Sequence, residues 1–252
     1  MIYLVLINVL VEDHETQVPV QDLNYRDFQI FDNGSRLEPV VFMSGSSDTS
    51  SPMAMWLLVS CPEQGQREGG SGFVAGNTTA LKQALANLDS ASTVGVAHWC
   101  ANGDANTDLL PTQDHDAPFA VLETVLHQAP VEPSKSSSKR AFQRALDLVM
   151  EKSGTRTDEA LPVIVLLYDG SIDVSKDDAD LMAKKLLYRR AIFYQIGNRR
   201  DEPKGLHPEE EHSSLQSISR QTGGRVYSIR REDYLKAMNS VISGLHFRYT
   251  KA

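Results

Sequence analysis

Cysteine, basic charge and long apolar runs are all in short supply in this chain of 252 residues. Two cysteines, Cys61 and Cys100, cannot make a disulfide scaffold, and they leave the compartment open. Lys and Arg number 25 against 33 Asp and Glu, a formal net charge of −8. That balance argues against a partner bound through its phosphate backbone, so no nucleic acid is expected. No apolar run approaches the roughly 18–20 residues that cross a bilayer. The apolar start, Met1 to Val11, lacks a basic flank and a small-residue cleavage site, so it is not read as a signal peptide. Two catalytic signatures are also missing. There is no nucleophile elbow and no phosphate loop, and Gly69-Gly70-Ser71-Gly72 has no lysine after it.

What is present is globular. Hydrophobic residues make up 41% and charged residues 23%, over a length that can bury a sizeable core. The first part reads as β. Ile2 to Val11 is a strand pattern, and Asp32-Asn33-Gly34-Ser35 between Phe28–Phe31 and Leu37–Met43 is a hairpin signal. Ser44 to Pro52 reads as a linker. Strands and helices then alternate. Strands are expected at Met53–Ser60, Thr93–Cys100, Leu161–Tyr168, Ala191–Ile196 and Arg225–Ile229, with a short edge strand at Thr107–Gln113. Helices are expected at Thr78–Leu88 with Thr79 as cap, Pro118–His127, Lys139–Lys152, Asp177–Arg190, Pro208–Gln221 and Glu232–Leu245. A short strand or tail follows at His246–Tyr249. Such alternation implies parallel pairing in an α/β fold. Leu161 to Tyr168 is apolar throughout and ends at Asp169-Gly170, which puts a carboxylate at the C-terminal edge of the sheet, where such folds bind ligands.

Three stretches together resemble a von Willebrand factor A domain. They are the apolar strand Trp56 to Ser60, the strand end Tyr168-Asp169-Gly170, and the run Leu215, Ile218-Ser219, Thr222-Gly223-Gly224 before Arg225-Val226-Tyr227. The N-terminal part is similar to a leader that precedes A-type domains in bacterial proteins, of the kind described as A-domain-related in Acidobacteria. Its residues are Val9 to Asp13, Val18 to Leu23, Asp27 to Gly34 and Val41-Phe42. The resemblance implies a doubly wound, mostly parallel six-stranded sheet of order 3-2-1-4-5-6. Its short edge strand would be antiparallel, residues 51–252 would form the A-type domain, and 1–50 a β extension with linker. It also implies an extracellular or periplasmic setting.

The resemblance further implies a divalent ion held by an Asp-x-Ser-x-Ser loop, a Thr from a second loop and the Asp that ends the fourth strand. Here the first loop puts Ser60, Pro62 and Gln64 at those three places, and the second, Ser134 to Arg140, has no Thr. Only Asp169 matches. Hard cations need an array of oxygens that includes carboxylates. The expectation is therefore a vestigial site, with Asp169, Ser60 and Glu63 as its remnants and no bound cofactor. The alternative is a Mg²⁺-dependent adhesion domain in which Glu63 serves from a rearranged loop. Asp169 alone can also cap its own turn. Ser171, Asp173 and Asp177-Asp178 read as caps for the next helix.

Cys61 and Cys100 end two neighbouring strands, as a disulfide or as two buried thiols. With His98 they suggest a soft-metal site, but no fourth ligand is evident. The function expected is a non-enzymatic module that binds a protein partner through Ser60, Glu63, Gln64, Asn102, Asp104, Ser136, Asp169, Ser171 and Asp173. A hydrolase on another doubly wound fold is the competing class.

Overall fold

A computed structural model describes residues 7–9, 11, 13, 20, 23–37, 42–44, 52–62, 74, 76–132, 135–153, 160–168, 172, 174–198, 214–229, 233–246 and 249–251. The chain divides into two compact units. One comprises Met1–Ser51 with Ser240–Ala252, the other Pro52–Asn239.

In the first unit, β1 (Ile7–Val9) and β4 (Phe42–Ser44) flank β11 (Tyr249–Lys251), both pairings antiparallel. The C-terminal strand thus closes the sheet begun by the N-terminal segment. The hairpin β2 (Ile30–Asp32) and β3 (Ser35–Leu37) turns at Asn33-Gly34. Both turn residues have positive φ, 49° and 82°, as a two-residue hairpin turn of type I′ requires. Leu37 and Met43, the ends of the expected apolar stretch, lie in β3 and β4, which belong to different sheets, and 38–41 lie outside the described residues.

The second unit contains one sheet of six strands among the described residues. They are β5 (Met53–Ser60), β6 (Thr93–Trp99), β7 (Ala105–Thr112), β8 (Leu161–Tyr168), β9 (Ile192–Asn198) and β10 (Val226–Ile229). Their order is β10-β9-β8-β5-β6-β7, and all neighbours are parallel except β6–β7. That is the expected 3-2-1-4-5-6 order with its antiparallel edge. The register of β6–β7 shifts at Val96, next to the stretch that carries Pro111, and an edge strand tolerates the missing donor.

Alternation along the central strands gives the sheet two buried faces. Trp56, Leu58, Ala97, Trp99, Ile164, Leu166 and Phe193 pack in one cluster with residues of α3 (Lys135–Lys152), α4 (Lys176–Tyr188) and α5 (Ser214–Gln221). Trp99 meets Phe142 edge to face at 5.3 Å. Met55, Leu57, Val59, Val96 and His98 point the opposite way and are also buried. α1 (Thr78–Leu85) and α2 (Ala117–Leu126) supply Leu81, Leu85, Leu122 and Val125 outside that cluster. α6 (Tyr234–His246) follows β10 and leads to β11.

Two helix caps differ from expectation. Thr79 lies inside α1, whose first flanking residue is Asn77. α4 is capped by Ser175, whose hydroxyl accepts from the Asp178 amide, and Asp177 and Asp178 lie in its first turn, where they meet the positive end of the dipole.

The Thr222-Gly223-Gly224 run has a local cause. Gly223 adopts φ 77°, and the Gly224 amide reaches back to the Ser219 carbonyl at 2.8 Å, which closes α5. A Cβ on Gly224 would stand 2.0 Å from the Phe193 carbonyl oxygen. The Thr222 hydroxyl accepts from the Phe193 amide at 3.1 Å and donates to the Ile218 carbonyl at 2.9 Å. The three residues bolt the end of α5 to the start of β9.

Candidate functional site

β5, β6 and β8 all end at one edge of the sheet, and the candidate residues follow them. Register sets Ser60 opposite Trp99, so the next residues, Cys61 and Cys100, also face each other. The Cys61 amide donates to the Trp99 carbonyl at 2.8 Å. The two sulfurs are bonded, with Cα atoms 4.8 Å apart. Pro62 is buried, and its carbonyl accepts from the Val131 amide at 3.0 Å. The start of the loop after β5 is thereby tied to β6 and to the segment after α2.

The turn from β6 to β7 forms the next part of the edge. The Cys100 amide donates to the Asp104 carbonyl at 2.8 Å, and Gly103 sits at φ 110°. The Asn102 side chain accepts from the Asp104 amide at 3.1 Å and donates to the Asp104 carboxylate at 2.7 Å. Asn102 and Asp104 are exposed. A Cβ on Gly103 would stand 3.8 Å from the Ser137 Cβ, so the tip of this turn lies against the start of α3, where Ser136 is found. Ser60, Asn102, Asp104 and Ser136 therefore come from three segments to one edge. Glu63, Gln64, Asp169, Ser171 and Asp173 lie outside the described residues. Beside them in sequence, Ile172 is half-buried against the core cluster and Val174 is buried.

The resemblance sets Ser60 and Pro62 at two of the three ligand places of the first loop, and they offer one side-chain oxygen between them. A hard divalent ion draws on carboxylates there.

A second constellation lies beside the first. His98 lies on β6 and Cys100 directly follows that strand, two residues on, with their ligand atoms close together. His98 Nδ1 donates to Asp108 Oδ2 at 2.7 Å, with the His98 and Asp108 side chains 9% and 13% exposed. Asn106 donates to the other Asp108 oxygen at 3.3 Å. Cys61, His98 and Cys100 each present a ligand atom within 4.8 Å of the other two. Gln128 Oε1, just beyond α2, lies 3.7 Å from Cys61 Sγ. Asp108 and Gln128 were not picked out from the sequence. Asp108 carries a faint signal, since Asn106 and Asp108 repeat with period two beside His98. Gln128 carries none.

On the other side of the edge, Lys139 of α3 forms an ion pair with Asp178 of α4. The Lys139 hydrogen bond, seconded by Ser175, holds the Asp178 carboxyl below the usual aspartate range.

This arrangement can be set against solved structures. The SpRpn10 VWA domain superposes with a TM-score of 0.52 at 14% identity, over 76% of this chain and 94% of that one. The chain has the von Willebrand factor A fold. An aerotolerance-related membrane protein from Bacteroides fragilis gives 0.52 at 15% identity, over 75% of this chain and 98% of that one. Manganese-loaded TRAP protein from Plasmodium vivax gives 0.50 at 14% identity, over 80% and 76%. No family model and no curated protein matches the sequence. At these identities the likeness concerns the von Willebrand A fold alone. None of the described helices is long and apolar enough to cross a membrane.

Proposed function

We propose that this von Willebrand A module binds a protein partner at the C-terminal edge of its sheet, without catalysis and without a tightly held hard cation. The observation that carries the reading is the first loop. Ser60 replaces the expected carboxylate, and Pro62 has no side-chain oxygen, is buried and has its carbonyl engaged by Val131. Asp169 is then the one carboxylate that matches the ligand places of the resemblance, and a single carboxylate does not displace the hydration shell of Mg²⁺. The binding surface comprises Ser60, Glu63, Gln64, Asn102, Asp104, Ser136, Asp169, Ser171 and Asp173. In sequence the module is taken as 51–252 and its extension as 1–50, and the last residues of the module, 240–252, cluster with that extension. Solved neighbours include a VWA domain and the TRAP protein of this fold, which supports a protein-interaction role. The Cys61–Cys100 bridge supports an oxidising setting such as the periplasm or cell exterior.

Calorimetric titration of the oxidised protein with Mg²⁺ and Mn²⁺ tests the metal half of the reading, and no micromolar binding is expected. Micromolar binding that disappears in Asp169→Ala would overturn it in favour of a Mg²⁺-dependent adhesion domain. A photo-crosslinking side chain at Asn102 tests the surface, with one at exposed Ser90, before β6, as its control. Crosslinking to a protein partner from Asn102 and not from Ser90 is expected. Crosslinking from Ser90 alone would refute the choice of edge.

A further inference from the structure

We propose that reduction of the Cys61–Cys100 bridge creates a soft-metal site, of the zinc class, built from the two thiolates and His98. The three residues sit on adjacent strands whose register is fixed by the sheet, and their ligand atoms lie within 4.8 Å of one another. In a tetrahedral zinc site with Zn–S near 2.3 Å, two sulfurs stand roughly 3.8 Å apart. Opening the bridge therefore requires the sulfurs to separate by a side-chain movement, with no change of strand register.

His98 is prepared for the role. A carboxylate can only accept, so the proton of the imidazole lies on Nδ1, toward Asp108, and the lone pair of the neutral ring lies on Nε2. A carboxylate on the far nitrogen of a metal-bound histidine fixes its tautomer and orientation. Asp108 is itself held by Asn106. Two thiolates and one imidazole leave the fourth position to water, beside the Gln128 Oε1 that lies 3.7 Å from Cys61 Sγ. Sulfur and nitrogen donors select zinc, cobalt or cuprous ions over Mg²⁺.

The redox step balances with a dithiol reductant. One reductant thiolate attacks a bridge sulfur and frees the other cysteine as thiolate. The second reductant thiolate then expels the first cysteine, and the reductant leaves as a disulfide. Two electrons pass to the bridge. The metal binds the cysteines as thiolates, so any protons they have taken up are released. This site uses neither Asp169 nor Ser60, so it stands or falls separately from the reading above.

The test is cobalt titration of the whole chain after phosphine reduction and anaerobic desalting, with two free thiols verified by a thiol reagent. Reduced protein should show a thiolate-to-cobalt charge-transfer band and the visible bands of tetrahedral cobalt, both displaced by zinc. Oxidised protein at the same cobalt concentration should show neither. Asp108→Asn, on the edge strand, should weaken cobalt binding about 10–100-fold with an unchanged circular dichroism spectrum. His98→Asn should remove the tetrahedral spectrum. The proposal fails if reduced wild-type protein gives no charge-transfer band, or if His98→Asn binds cobalt as tightly and with the same spectrum. The oxidised and reduced wild-type proteins share one sequence, so that comparison holds even where a variant does not fold.

Discussion

Breaking the Cys61–Cys100 bridge should lower the melting temperature of the oxidised protein by about 8–15 °C. The bridge joins residues 39 apart in sequence. Closing a loop of that length in the unfolded chain removes entropy of roughly 13 cal/mol/K, from 2.1 plus 1.5R ln n, or about 3.9 kcal/mol at 25 °C. For a domain of this size each kcal/mol moves the midpoint by about 2–4 °C. Reduction is the cleaner perturbation, because it deletes no side-chain atom from a site where both cysteines are buried. Substitution by Ala would add a cavity contribution. The assay is thermal unfolding followed by circular dichroism, with and without a phosphine reductant, in a buffer containing a chelator so that no metal rebinds the thiols. Reduced and oxidised curves that coincide to within about 2 °C would refute the argument, since the bridge would then constrain nothing in the unfolded chain.

Thr222→Val should cost about 1–3 kcal/mol in urea unfolding, because the buried Phe193 amide loses its acceptor, whereas Thr222→Ser should cost under about 1 kcal/mol. A larger loss in Thr222→Ser than in Thr222→Val would show that the methyl, not the hydroxyl, matters. Gly224→Ala should cost about 1–3 kcal/mol or more, since its Cβ would meet the Phe193 carbonyl oxygen at 2.0 Å. A neutral result there would mean that α5 and β9 are not held this closely. Asp178 has a depressed carboxyl pKa, so its contribution is present above the unfolded value and is lost as pH falls through the folded one. Asp178→Asn should therefore lower the melting temperature slightly at neutral pH and not in strong acid. A difference that grows on acidification would reverse the sign of the argument.

Much of the architecture was legible because it is written in local patterns. Leu161 to Tyr168 is apolar throughout, as a strand buried on both faces requires, and β8 is such a strand. Asn33-Gly34 named its hairpin through the positive φ that both positions adopt. Leu37 to Met43 was less legible, since a stretch with apolar ends, broken by Glu38-Pro39, does not reveal that those ends join different sheets. The cap of α4 was missed for a similar reason. Ser171, Asp173, Asp177 and Asp178 are all good capping residues by type, and only the backbone geometry at Ser175 selects the one that caps.

The candidate site was legible in position but not in its wiring. Strand pattern put Asp169 at the C-terminal edge of the sheet, and the resemblance set Ser60 and Pro62 at two of the other ligand places. His98 and Cys100 could be seen to share a face if β6 stayed regular. That Asp108 approaches His98 depends on the register of an antiparallel edge strand with a shift in it, which no local pattern encodes. Gln128 reaches Cys61 across 67 positions through the packing of α2.

By itself, then, the order of residues determined the alternation of strands and helices, the two-faced burial of the central sheet and the tight turns. Each depends on side-chain periodicity or backbone freedom within a few residues. Tertiary structure alone decided that Cys61 meets Cys100, that Asp108 orients His98, and that the last strand, Tyr249–Lys251, lies between Ile7–Val9 and Phe42–Ser44. Those pairings join distant residues through sheet register, and a one-residue slip in register would turn each side chain to the opposite face.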